Sequence, residues 1–166
     1  MVYTMRITVD GACRGNGQPG ARGCAAAIFK FRRNMTLSRH SVLLANYPTP
    51  TNQRAELAAI ILALKEALKK YLDLDTQPRL DLRISTDSKY AVSCMNEWIF
   101  KWLENGWLNA AGRPVVNRDL IKEAWDLRCE LRQVGRVKFR WIPREENEDA
   151  DSYCNEILDD SDWGYY

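Results

Sequence analysis

The sequence predicts an α/β fold: one mixed five-stranded sheet, three antiparallel strands followed by two parallel ones, flanked by helices. Three observations support this. Alternating apolar residues predict three adjacent strands with short turns before about residue 45. Two later strands each follow a helical segment, and a helical crossover makes a strand parallel to an earlier one. A last helical segment follows the fifth strand.

Five short runs predict the strands, and apolar residues alternate in the first, fourth and fifth of them. The runs cover residues 3–10, 23–31, about 35–45, 80–85 and 137–141. The three alanines at 25–27 in the second run could also be helical. Segment 11–20 carries four glycines and separates the first two strands, and Arg32-Arg33-Asn34 is predicted to form the hairpin turn before the third. Asp10 ends the first strand and Asp87 ends the fourth.

Apolar residues three and four apart predict the helices. The predicted helices span about 51–72, about 88–95, 118 to about 134, and about 147–159. Asn117 is expected to cap the third of them, because Asn is favoured at that position. A tryptophan-rich segment with Trp98, Trp102 and Trp107 precedes Asn117. We expect Trp98 and Trp102, four residues apart on one helix face, to lie in the core.

The length and composition suit one soluble domain. The chain has 166 residues, 46% of them apolar and 28% charged, and we expect a single domain over 1–166 with its core at about 3–159 and an acidic tail at 160–166. No apolar run is long enough to span a membrane. Five widely spaced cysteines without a Cys-x-x-Cys pair favour a reducing, intracellular protein, cytoplasmic or nuclear. We expect a monomer without a membrane partner.

The charges are distributed unevenly although the formal net charge is only +2. Residues 1–46 contain seven Lys and Arg and one acidic residue, Asp10, whereas residues 145–166 contain nine acidic residues and no basic one. A basic first part suggests a polyanionic partner. The alternative is a solvated sheet face, and charge alone does not decide between them.

Four carboxylates occupy informative places: Asp10, Glu56, Asp87 and Asp151. Parallel strands finish at the same sheet edge, so Asp10 and Asp87 can converge there. Four carboxylates at one spot would repel each other unless a cation neutralises them. Oxygen ligands suit Mg²⁺ or Mn²⁺, and two such ions can support phosphodiester hydrolysis. Each acid taken alone would more simply be a helix cap, a salt bridge or a surface charge.

Four ordered motifs give the chain a resemblance to the type 1 ribonucleases H over about residues 3–159. They are residues 8–17, 51–57, 85–90 and 147–151. The resemblance implies a ribonuclease H-like fold and an active enzyme that cuts the RNA strand of RNA–DNA hybrids. It also implies catalysis with two Mg²⁺ ions, for which Mn²⁺ can substitute, and products with 5′-phosphate and 3′-hydroxyl ends. Asp10, Glu56, Asp87 and Asp151 match the catalytic, metal-binding acids. The family spacing selects Asp151 rather than Asp149.

The resemblance further implies contacts with the hybrid. The substrate-binding candidates are Asn16, Thr51, Asn52, Gln53, Trp107 and Asn117. The amides at 16, 52 and 53 match positions that touch the minor groove, where the 2′-hydroxyl distinguishes RNA from DNA. Thr51 and Asn117 match phosphate ligands, and Trp107 is expected to meet the sugars of the DNA strand.

The chain departs from the family between the fifth strand and the last helix. Many members have a loop containing a histidine there, but this chain has only Ile142-Pro143-Arg144-Glu145-Glu146. Our hypothesis is that Arg144 or Glu145 takes over part of the histidine's role, although a surface salt bridge would also explain Arg144. Two other functions remain open at this point: a catalytically silent hybrid-binding module, and a ribonuclease H domain cut from a reverse transcriptase.

Overall fold

The computed structural model describes residues 1–32 and 35–163 and contains one mixed sheet in the order β3-β2-β1-β4-β5. Its strands are β1 (Val2–Arg14), β2 (Arg22–Phe31), β3 (Met35–Leu43), β4 (Arg79–Thr86) and β5 (Gly135–Trp141). The pairs β1–β2 and β2–β3 are antiparallel, whereas β1–β4 and β4–β5 are parallel. The predicted fold class is therefore confirmed.

The helices follow the predicted order, with two differences. They are α1 (Asn52–Leu72), α2 (Lys89–Ser93), α3 (Ile99–Asn105), α4 (Arg118–Arg132) and α5 (Glu148–Trp163). A π-helical turn, Cys94–Trp98, joins α2 to α3, so the helical segment predicted at 88–95 was too short. Helix α5 includes residues 160–163, which were expected to form a frayed tail. In the described part of the chain, no helix has the length and apolar character needed to cross a membrane.

Parts of two predictions lie outside the described residues. Arg33 and Asn34, in the predicted hairpin turn, are not described, and neither are residues 164–166 of the predicted tail.

The main core lies between one face of the sheet and helices α1 and α4. Leu57, Ile60, Ile61 and Leu64 of the predicted apolar stripe of α1 are buried, and Leu68 packs against this core. Helix α5 packs on the opposite face, over β1 and β2. A smaller apolar cluster made of Cys24, Ala26, Cys154 and Leu158 holds it there.

The uneven charge of the sequence is explained largely by pairing inside the molecule. Basic residues of the first three strands meet acidic residues of α5. The ion pairs are Arg14 with Asp159, Lys30 with Asp149, and Arg39 with Glu156. Arg22 also donates a hydrogen bond to the Ser161 hydroxyl at 2.7 Å. These contacts with α5 account for the cations, so neither a polyanionic partner nor a solvated sheet face is needed to explain them.

The tryptophan-rich segment is arranged differently from the prediction. Trp98 is 38% exposed, so its expected place in the core was wrong, whereas Trp102 is partly buried and packs against the core as expected. Trp107 is only 8% exposed and stacks on Trp102 with ring centroids 6.2 Å apart. Little of the Trp107 ring remains available to touch a substrate.

Gly11 allows the closest approach between β1 and α1. A Cβ atom at Gly11 would lie 2.1 Å from the backbone carbon of Ala55. We expect Gly11→Ala to lower the free energy of unfolding by about 3 kcal/mol, because two rigid elements must separate to accommodate the methyl group. Urea unfolding would measure the loss.

Gly20→Ala is the matched control for this prediction. Gly20 has a φ of +81° but no atom within 4 Å of an added Cβ, so only the left-handed backbone should cost stability, about 1 kcal/mol. Equal losses for the two variants would contradict the close-approach argument.

Candidate active site

The carboxyl ends of β1 and β4 open into a cavity of about 550 Å³. All four predicted carboxylates line it: Asp10, Glu56, Asp87 and Asp151. They come from β1, α1, the residue following the end of β4, and the first turn of α5. Asp10 does not end β1 as predicted, because the strand continues to Arg14. The parallel pairing of β1 with β4 stops at Val9 and Thr86, so Asp10 and Asp87 both follow the last paired residues and line the same cavity.

Asp10 interacts with two of the other three carboxylates of this cavity, Asp87 and Asp151. Its side chain is buried, with 8% of the residue exposed. Burial, the negative charges of Asp87 and Asp151, and a carboxyl–carboxyl contact with Asp151 together raise the pKa of Asp10 to about 8. A hydrogen bond from the Gly11 amide opposes this rise only partly. Without a cation, Asp10 is therefore held partly protonated near neutral pH.

Glu56 is held in place by Ser88. The Ser88 hydroxyl donates a hydrogen bond to Glu56 Oε2 at 2.6 Å and also accepts one from the Ala91 amide at the start of α2. Burial raises the pKa of Glu56, the Ser88 hydrogen bond lowers it, and the charge of Asp87 raises it further, with a net rise. Ser88 thus fixes the orientation of the Glu56 carboxylate.

Asn147 connects three of the elements that form the cavity. Its Nδ2 donates to the Val9 carbonyl of β1 at 2.8 Å and to Asp87 Oδ1 at 3.4 Å. Its main-chain carbonyl accepts a hydrogen bond from the main-chain amide of Asp151, at the start of α5, at 3.2 Å. The residue is almost fully buried. The sequence motif located Asn147 by its spacing from Asp151 but gave no sign of this bridging role.

We expect Asn147→Ala to lower the free energy of unfolding by about 1–3 kcal/mol, because the Val9 carbonyl would lose a buried partner. Turnover on a hybrid should fall as well, since Asp87 would no longer be held relative to β1 by the Asn147 side chain. Denaturant unfolding and initial-rate measurements on the same preparation would test both parts. Asn155→Ala, which removes an exposed amide that donates to the Asp151 carbonyl, is the control and should keep full stability.

Polar side chains surround the N-terminus of α1 beside the cavity. Asn52 lines the cavity itself, and its main-chain amide donates a hydrogen bond to Asn16 Oδ1 at 2.9 Å. Thr51 caps α1, because its hydroxyl accepts from the Arg54 amide at 3.1 Å. The structure therefore brings Asn16, Thr51 and Asn52 together beside the cavity.

Asn117 occupies the N-cap position of α4 as predicted, but its side chain does not cap the helix. It adopts a left-handed backbone with φ 65°, and its side chain makes no capping hydrogen bond. Its Nδ2 instead donates to the Tyr90 hydroxyl at 3.0 Å and to Gln53 Oε1 at 3.5 Å, and its Oδ1 accepts from Arg54. Asn117 and Gln53 thus belong to the polar group at the N-terminus of α1, but neither lines the cavity.

Arg144 and Glu145 lie at different places. Arg144 lines the cavity, together with Lys89 and Trp141. The Lys89 ammonium sits 5.2 Å from the centre of the Trp141 ring, and Trp141 donates to the Asp87 carbonyl. Glu145 is exposed on the same short 3₁₀ helix, outside the cavity lining. The sequence pattern indicated no role for Lys89, although this residue belongs to the third motif, and Trp141 lies outside all four motifs.

The donor set of the cavity suits a hard divalent cation. All four carboxylates line one open space, and burial together with the charges of Asp87 and Asp151 raises the pKa of Asp10. Among the described residues, no three acidic, Cys or His side chains converge closely enough to form a ready-made metal site. Binding a divalent ion would therefore draw the carboxylates together and remove the repulsion between them.

The sheet order and the shared carboxylate cavity define a nuclease of the ribonuclease H fold. The RNase H family model matches residues 3–159, and the chain belongs to this family. Ribonuclease H of Escherichia coli is 33% identical over 157 residues, which cover 95% of this chain and 88% of the relative.

Solved structures share the same fold. RNase H1 from the halophilic archaeon Halobacterium salinarum matches with a TM-score of 0.64 and 24% identity, covering 95% of this chain and 99% of the other. LC11-RNase H1 in complex with an RNA/DNA hybrid matches with a TM-score of 0.66 and 24% identity, covering 95% and 98% of the two chains.

Proposed function

We propose that this protein hydrolyses the RNA strand of RNA–DNA hybrids endonucleolytically with two Mg²⁺ ions, leaving 5′-phosphate and 3′-hydroxyl ends. The observation that carries the proposal is the single cavity lined by all four family carboxylates. Two findings on relatives support it: the Escherichia coli relative is named Ribonuclease H, and LC11-RNase H1 was solved with an RNA/DNA hybrid.

The four carboxylates would hold the metal ions. Asp10 contacts Asp151 and lies near Asp87, so it is the residue best placed to be shared between two ions. Glu56, oriented by Ser88, would complete the ligand set. When bound, Mg²⁺ ions activate water and stabilise the leaving oxygen in phosphodiester hydrolysis, and Mn²⁺ can take the same oxygen ligands.

The polar side chains around the N-terminus of α1 would recognise the hybrid. The amides of Asn16, Asn52 and Gln53 offer both donors and acceptors, which matches the two-way hydrogen bonding of a 2′-hydroxyl. Thr51 and Asn117 would contact phosphates. Trp107 would contribute mainly as packing beneath Arg118, whose guanidinium lies 5.5 Å from the centre of the ring.

A cleavage assay on a labelled RNA–DNA duplex tests this proposal. We expect cuts within the RNA strand in Mg²⁺ and in Mn²⁺, none in EDTA, and none on single-stranded RNA, double-stranded RNA or double-stranded DNA. End analysis should find 5′-phosphates. A hybrid that is bound but left uncut in both metals would contradict the proposal and identify a silent binding module.

We expect Arg144→Ala to lower turnover by about tenfold, because a cavity cation that assists proton transfer or phosphate binding would be lost. Arg144→Lys should recover part of the rate if the charge matters, and Glu145→Ala should stay near wild type because Glu145 lies outside the cavity lining. Steady-state rates on one hybrid would measure all three. Full rates for both alanine variants would refute the hypothesis that either residue substitutes for the family histidine.

A further inference from the structure

One face of the sheet carries exposed cations at β4, β5 and the neighbouring part of β1. Side chains alternate along each strand, and those that face α1 and α4, such as Leu82 and Phe139, are buried. Most of the charged residues that point the other way are exposed, because α5 covers β1 and β2 rather than β4 and β5. We call six of these residues the cationic face: Arg6, Arg79, Arg83, Arg136, Lys138 and Arg140.

The strand register sets these cations side by side. Arg6 is paired with Arg83, and Arg83 with Lys138, so three cations form one row across β1, β4 and β5. Arg136 and Arg140 flank that row along β5. Neighbouring strands lie about 4.8 Å apart, and residues two apart on a strand about 6.6 Å. Like charges at these separations destabilise a sheet.

Asp81 is the single acid within this group. It is 3% exposed, accepts a hydrogen bond from Arg83 at 2.7 Å, and lies 3.8 Å from Arg136. One carboxylate therefore faces six cations. In the parts of the chain that the structure describes, no carboxylate lies within ion-pair distance of Arg6, Lys138 or Arg140.

We infer that the cationic face binds the sugar–phosphate backbone of a nucleic-acid duplex. Five of its six cations are arginines, whose planar guanidinium pairs with two phosphate oxygens at once. The side chains between them are the hydroxyls Thr4, Thr8 and Ser85 and the exposed Val2 beside Arg79. None of these positions carries the aromatic anchor that is typical of protein and membrane contacts. The chemistry of the face therefore favours a phosphate backbone.

The cationic face leads to the cavity that was assigned to cleavage. Arg140 directly precedes Trp141, which lines that cavity with Arg144. The face can thus hold phosphates outside the reach of the four carboxylates and add affinity without taking part in the reaction. This inference goes beyond the proposed function, and it does not require that the protein cleaves a hybrid.

Salt-dependent binding of a fluorescent DNA duplex in EDTA tests the inference. The variant Arg6→Ala/Lys138→Ala/Arg140→Ala removes three cations but leaves both ion pairs of Asp81 intact. Each lost phosphate contact should reduce the slope of log affinity against log salt by about 0.9, so we expect a reduction of up to about 3 and weaker binding between roughly 50 and 200 mM salt. Circular dichroism and melting would verify that the variant is folded.

The matched control removes the same charge elsewhere. Lys69→Ala/Lys122→Ala/Arg132→Ala changes exposed cations on α1 and α4, and should keep the wild-type slope. An unchanged slope for the first variant, or equal losses in both, would overturn the inference. So would effects of the first variant on polyglutamate or anionic vesicles but not on DNA. Duplex binding that depends on this face while hybrids stay uncut would support the inference and contradict only the proposed function.

Discussion

Asp10→Asn is expected to reduce turnover on an RNA–DNA hybrid by about 10³-fold or more in Mg²⁺. Asp10 is the most buried of the four carboxylates and contacts Asp151 while lying near Asp87. An amide in its place would leave one oxygen and no negative charge at the centre of the proposed metal site. A loss of about 4 kcal/mol of transition-state stabilisation corresponds to that rate effect. Initial rates with a labelled hybrid would measure it.

Asp149→Asn is the control for this prediction. Asp149 lies on the same helix as Asp151, but it is exposed and pairs with Lys30 rather than lining the cavity. We expect Asp151→Asn to impair turnover strongly and Asp149→Asn to leave it near wild type. If Asp149→Asn were the more damaging of the two, the fourth carboxylate would have been misassigned. If Asp10→Asn kept full activity, the cavity would not be the catalytic site.

In EDTA, the protein should become less stable as the pH rises from about 4 to about 8. The pKa of Asp10 is raised from 3.8 to about 8 in the folded protein, so between these values the folded state binds more protons than the unfolded state. The free energy of unfolding then falls with increasing pH. Since one pKa unit corresponds to about 1.4 kcal/mol, the total change is on the order of 5 kcal/mol. Glu56, whose pKa is also raised, adds to it in the same direction.

Urea unfolding at pH 5 and at pH 8.5, with and without Mg²⁺, would measure this dependence. Most of the pH range between the ordinary pKa of 3.8 and the raised pKa of about 8 lies between these two values. Mg²⁺ should restore stability at the higher pH, because it binds the folded carboxylates and not the unfolded chain. Asp10→Asn should remove most of the pH dependence in EDTA and be more stable than wild type at high pH. A wild-type protein that is more stable at pH 8.5 than at pH 5 in EDTA would contradict the proposed repulsion.

The sequence predicted the cavity well because two general rules determine it. Parallel strands bring Asp10 and Asp87 to one edge, and the spacing of the family motif from Asn147, which agrees with the period of a helix, selected Asp151. The metal ions, the reaction products, the monomeric state and the cellular compartment remain predictions. They depend on ions, substrates and partners that the fold alone does not specify.

The tryptophan-rich segment could not be predicted because of one local irregularity. A π-helical turn over Cys94–Trp98 inserts an extra residue into the helix, which shifts the phase of the side chains around it. Trp98, at the end of this turn, is exposed. Trp107 lies beyond α3 with a left-handed backbone, and its ring is buried against Trp102. Asn117 was misjudged for a related reason: its type suits a cap, but Tyr90 and Gln53 compete for its side chain.

The cationic face could not be predicted from the sequence, because its residues belong to three separate strands. In each strand the alternation of charged and apolar residues looks like an ordinary half-exposed strand. Only the register of β1, β4 and β5 places Arg6, Arg83 and Lys138 in one row. The visible charge asymmetry pointed instead to cations that α5 neutralises.

Helix α5 supplies Asp151, yet it is attached to the sheet less extensively than α1 is. A small apolar cluster, a few ion pairs and the hydrogen bond from Cys154 to the Asp10 carbonyl hold it on β1 and β2. Elements with few buried contacts open locally at a lower free energy than the whole domain unfolds. We therefore expect catalysis to be lost on heating when this helix undocks, before the five strands separate.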